Sequence, residues 1–166
     1  MNVPAQSRPT HGNALIALPP MGGVLGAAYI WRVRAGEDAP SSARRHVSRL
    51  LVIWGLAAPV IRQVGLVVED LIAGAAAPGS SPVMLEIARR RGRIAVAVHD
   101  VTPGLGTDAA ERIGRRGMDL TRTLAHGLSL VPAPGGRGMA VVAKLTDMFP
   151  ADTAPAVPTS SPEQVR

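Results

Sequence analysis

The chain of 166 residues contains no cysteine, which excludes disulfides, thiolate metal sites and cysteine nucleophiles. Aromatic residues amount to 2%, so a core must be assembled from Ala, Val, Leu and Ile. Lysine is nearly missing as well. Lys144 is the only one, and arginine carries the net charge of +6. That balance suits a nucleic acid, an acidic protein or a phosphate-bearing ligand without choosing among them. Together with 18 Gly and 15 Pro, it looks like GC-rich coding bias rather than a selected surface. The longest apolar run, near Leu50–Trp54, falls far short of the ~20 residues of a spanning helix. The first residues also lack the charged-then-apolar order of a secretory signal, so a cytoplasmic protein away from the membrane is expected.

What is present accommodates one domain with tails. Residues 1–25 read as an irregular arm, 26–146 as the folded domain, and 147–166 as a disordered tail rich in Pro, Ala, Ser and Thr. Tyr29, Trp31 and Val33 alternate with Ile30, Arg32 and Arg34, the pattern of an edge strand. Val47, Leu50, Leu51 and Trp54 then form one stripe of a helix that stops at Gly55. Pro59 opens a second helix, with Val60, Val64, Val68, Leu71 and Ala75 as its buried stripe. Val83, Leu85 and Ile87 alternate next, and Arg89–Arg93 reads as a solvated hairpin turn into a strand ending at Asp100. Residues 101–115 read as a loop long enough to act as a lid, and Arg116–Ala125 as a short helix. A final hairpin pairs 127–131 with 138–144. The expectation is an α+β fold, a two-layer α/β sandwich whose mixed, mostly antiparallel sheet has helices on one face.

Ile94, Val96, Val98 and Asp100 share one face of their strand. A carboxylate at the mouth of an apolar face either has a structural partner or reads a ligand. Gly114 and Gly117 bracket a turn into a helix, whose first N–H groups suit an anion. An acidic group for a base and a glycine turn for phosphates together suggest a nucleotide pocket. Arg115 and Arg116 either assist with charge there or are solvated. His99 falls on the opposite strand face with Ala95 and Ala97 and reads as a sheet-surface residue. His46 and His126 have no ligand-spaced partners, so no histidine metal site is expected. The arginine turn has no interleaved aromatics to stack bases, and nucleic acid is not expected as a partner.

Five blocks in this order resemble a known family. They are Ala43-Arg44-Arg45-His46-Val47 with Trp54-Gly55-Leu56; Leu66-Val67-Val68-Glu69-Asp70-Leu71-Ile72; Val96-Ala97-Val98-His99-Asp100; Gly114-Arg115-Arg116-Gly117-Met118; and Pro134-Gly135-Gly136. Residues 26–145 are similar to the GHKL (Bergerat-fold) ATPase domain, above all to the anti-sigma-factor serine kinases and small ATP-binding regulators of actinobacteria. The resemblance implies that Asp100 hydrogen-bonds the adenine amino group. It also implies that Gly114 and Gly117, in the block with Arg116 and Met118, let the backbone close over the phosphates of ATP or ADP. Asp70 then stands at the catalytic-base position, and Gly74 where the family carries the asparagine that ligates magnesium.

Positions 70 and 74 lie over one another on a helix, but glycine offers a metal nothing. Asp70 is also a methylene shorter than the family's glutamate, so phosphoryl transfer is expected to be weak or absent. The expected role is a regulator, with ATP or ADP held weakly, that docks on a sigma factor or an anti-sigma antagonist. A homodimer through the edge strand is left open. One alternative is an active serine/threonine kinase with Asp70 as base and magnesium held by phosphates and water alone. Another is a fold relic that binds protein only.

Overall fold

The computed structural model describes residues 27–101, 108–133 and 138–147. The N-terminal arm, most of the lid tip, the Pro134-Gly135-Gly136 block and the tail beyond Asp147 lie outside them. Five strands form one sheet in the order β1-β2-β3-β5-β4: β1 Ala27–Val33, β2 Val83–Arg90, β3 Arg93–Asp100, β4 Gly127–Pro132 and β5 Met139–Thr146. Every pairing among them is antiparallel, where a mixed, mostly antiparallel sheet was expected. The four helices are α1 Ala39–Ile53, α2 Ala58–Ala75, α3 Ala109–Arg116 and α4 Asp119–Leu124. The fold is α+β, consistent with a two-layer α/β sandwich. Among the described residues, no helix is long and apolar enough to cross a membrane.

Strand periodicity decides which face is covered. Val83, Leu85 and Ile87 of β2 stand in register with Asp100, Val98 and Val96 of β3. All but Asp100 are fully buried, and Val141, Ala143 and Leu145 of β5 continue the same layer. Helix α2 lies over this layer, with Val60, Val64, Val67, Val68, Leu71 and Ile72 inside, and α1 packs against α2 through Val47 and Leu51. Arg44 of α1 pairs with Glu69 of α2 at 2.7 Å. Helix α1 starts earlier than its apolar stripe, because Pro40 fits the first turn where no N–H is needed. It ends in a Schellman motif. Gly55, at φ 71°, lets Leu56 N–H reach Leu51 O and its own N–H reach Val52 O.

Two turns depart from expectation in an instructive way. The β2–β3 hairpin turns on Arg91 and Gly92 alone, both at positive φ as a two-residue type I′ turn requires. Arg89 is therefore strand rather than solvated turn. It lies on the covered side, where its Nε donates to Asp147 at 2.7 Å and its Nη1 to Trp54 O at 2.9 Å. The second departure is α3. Residues 109–115 were expected to be loop, yet together with Arg116 they form an eight-residue helix, and the next helix begins at Asp119 instead of Arg116.

Candidate functional site

The expected site residues converge where the end of β3, the second half of α2, and α3 and α4 meet. Asp100 sits at the end of β3 on the helix-facing side, as its periodicity required. Its side chain is 10% exposed, and both oxygens are engaged by the chain itself. Ala109 N–H donates to Oδ2 at 2.6 Å, and the Arg112 guanidinium donates to Oδ1 at 2.8 Å. Ala109 is the first residue of α3, so Asp100 satisfies one of that helix's orphan donors. Asp108 satisfies another, accepting from Glu111 N–H at 2.8 Å.

Arg112 ties α3 down a second time, its Nε donating to Ala75 O at 2.8 Å. That carbonyl lies in the last turn of α2, where the helix dipole favours a cation. The guanidinium is 14% exposed and bridges two negative poles, the Asp100 carboxylate and the C-terminus of α2. Between these anchors, Ala109 and Ile113 are fully buried.

Gly74 explains how α3 comes so close. A Cβ added there would lie 2.9 Å from the Ile113 Cα, closer than real Cβ atoms approach another atom. The small residue at 74 therefore permits helix contact, and the volume an asparagine side chain would need is filled by α3. These residues do not fit the magnesium site that the resemblance implies, because the ligand position has no donor and no room for one.

Asp70 is engaged too. Its Oδ2 accepts from Thr121 N–H at 3.0 Å and from Thr121 Oγ1 at 2.6 Å. Helix α4 has Met118 at its N-cap and no side-chain cap of its own. Asp70 supplies that cap from 51 residues away, binding the N–H of the third helical residue as a capping side chain would. Seven residues earlier on α2, Gln63 Nε2 donates to Leu124 O at 2.6 Å at the other end of α4. Two turns of α2 span about 10 Å, close to the length of a six-residue helix. Helix α4 is thus held at both ends, antiparallel to α2.

No protein-family model matches the chain, and no curated protein matches it.

The glycine block is split by the structure. Gly114 lies within α3 instead of opening a turn, with open space where its Cβ would be. Gly117 is the residue that turns the chain, at φ 91° and ψ 162°, between α3 and α4. Met118 packs against the core, whereas Arg115 and Arg116 are exposed, and Arg115 pairs with Glu111 one turn back. The sequence reading thus placed Asp70, Gly74, Asp100 and the start of the glycine block in one region, but missed the groups that engage them. Arg112, Ile113, Thr121 and Gln63 were not singled out. One signal was available: Asp108-Ala109-Ala110-Glu111 has the spacing of a capping box.

His99 lies on the uncovered side of the sheet, as expected, yet is only 7% exposed. Its Nε2 lies 3.0 Å from Glu86 Oε1 on the neighbouring strand, and its Nδ1 lies 3.1 Å from its neighbour's carbonyl, Asp100 O. The Glu86 bond raises the imidazole above its ordinary value of 6.5, outweighing the burial that lowers it.

Proposed function

We propose that this chain is a regulatory binding module of Bergerat type, which holds ATP or ADP weakly and acts by docking on a protein partner. The resemblance names the class of partner: a sigma factor or an anti-sigma antagonist in transcriptional or stress control. What supports the absence of phosphoryl transfer is Asp70. A general base must be free to take a proton at hydrogen-bond distance, and this carboxylate caps α4 through Thr121. Gly74 adds no metal ligand beside it. The resemblance and the block order support the nucleotide; the engagement of Asp100 within the chain supports its weakness.

The experiment is magnesium-dependent turnover of ATP, with phosphate release and transfer to a serine-containing substrate measured for the native chain and for Asp70→Asn. The expected result is background turnover, identical in the two proteins. Turnover in the native chain that disappears in Asp70→Asn would overturn this reading in favour of an active kinase.

A further inference from the structure

Helix α3 is seated on the end of β3 and on α2 by contacts of the kind a ligand makes. It presents an N–H and a guanidinium to the Asp100 carboxylate, an apolar side chain, Ile113, to the floor at Gly74, and a second N–H donor to Ala75 O. Among the described residues, its remaining packing is against α2, β3 and β5. At eight residues it is too short to persist as an isolated helix. Only Ala109 and Ile113 of its side chains are fully buried, and Gly114, Arg115 and Arg116 are exposed. An element whose order depends on docking is the kind that opens locally while the rest of a domain stays folded.

We infer that α3 is a displaceable latch that occupies the nucleotide pocket, so that α3 docking and adenine-nucleotide binding compete for Asp100. This rests on the nucleotide-site reading of Asp100. The chemistry of the competition is donor for donor. With α3 docked the carboxylate accepts from Ala109 and Arg112 and its side chain is 10% exposed, so the exocyclic amine of a base reaches it only where α3 has moved aside. Apparent affinity for nucleotide is then the open-site affinity scaled by the fraction of molecules with α3 undocked. Weak binding by the native chain becomes a property of the latch instead of a worn-out pocket.

Two substitutions lift the latch by unrelated means. Arg112→Gln cuts the bridge between Asp100 and the end of α2. Gly74→Ala is a wedge, because the new Cβ drives against the Ile113 backbone. In an ordinary helix interior that change would stabilise. Amide hydrogen exchange and ADP titration would be measured on the full chain for native protein, both variants, and Arg112→Gln combined with Asp100→Asn. The expectation is that both single variants speed exchange of the α3 amides and tighten ADP binding by at least about tenfold, while β2, β3 and β5 stay protected. The combined variant should lose the gain. By reciprocity, ADP added to native protein should speed α3 exchange by the same linkage.

A loosened α3 with no gain in ADP affinity would overturn the inference, as would α3 exchange unchanged in both variants. ADP that protects α3 in the native chain would overturn it even if a variant failed to fold. None of these outcomes bears on phosphoryl transfer, which the turnover experiment decides separately.

Discussion

Two aspartates hold two helices in this molecule, and they hold them differently. Asp70 reaches α4 from the middle of α2, and Gln63 grips the far end of the same helix. Asp100 reaches α3 from the tip of a strand, and the second anchor, Arg112, belongs to the helix being held. Helix α4 is clamped by a partner that cannot leave without unfolding α2. Helix α3 carries part of its own fastening and can take it away. The same residue type thus makes a structural cap in one place and a releasable contact in the other.

The comparison breaks most visibly at Asp70. Asp70→Ala leaves the Thr121 hydroxyl and N–H without an acceptor, and Thr121 is fully buried. Loss of about 3 kcal/mol of global stability is expected in denaturant unfolding. Asp100→Ala should cost less, about 1–2 kcal/mol. Breaking a buried ion pair is severe only when the orphaned charge stays buried, and Arg112 can follow α3 into solvent. Hydrogen exchange should accordingly show α3 open and α4 protected in Asp100→Ala. A global loss as large as that of Asp70→Ala would erase the distinction drawn here. Gln63→Ala removes one neutral hydrogen bond and should cost about 1 kcal/mol, with exchange rising at the C-terminal end of α4 alone.

The smallest effect is a pH dependence confined to the α3 side. Protonated His99 can donate from both ring nitrogens, to Glu86 and to Asp100 O, and so steadies the strand end from which Asp100 reaches α3. Its titration point is raised on folding. The stabilisation is therefore complete below the ordinary value of 6.5 and fades as pH rises through the higher folded value. Unfolding measured from pH 6 upward should show this loss, and His99→Gln should flatten it. Exchange at α4 should not respond.

Much of this arrangement was legible in the sequence. The buried stripe of α2 fell where Val60, Val64, Val68, Leu71 and Ala75 placed it, and the alternation in β2 and β3 set the covered face. Long periodic segments announce themselves because many residues repeat one message. Helix α3 did not, since it buries only Ala109 and Ile113 and has a glycine at 114. Two buried positions one turn apart make no period, and the capping spacing from Asp108 to Glu111 was the only trace. Gly74 shows a deeper limit. A missing ligand and a close helix approach write the same letter, and only the position of Ile113 tells them apart. Asp70 and Asp100 were found, but their partners lie 51 residues and nine to twelve residues away, across folds of the chain that no local pattern encodes.

The Arg89–Asp147 pair has one more consequence. It ties the β2–β3 hairpin to the residue just past β5, closing a span of 58 residues, while Arg89 also holds the carbonyl at the end of α1. In a chain without cysteine, this is the nearest thing to a staple. Unlike a disulfide it vanishes on unfolding, so it leaves the denatured chain unrestrained and indifferent to redox conditions. It also moves the edge of the folded unit. The Asp147 side chain is 5% exposed and belongs to the domain, so a truncation or fusion made directly after Thr146 would remove the carboxylate that pairs with Arg89, the residue that holds the end of α1.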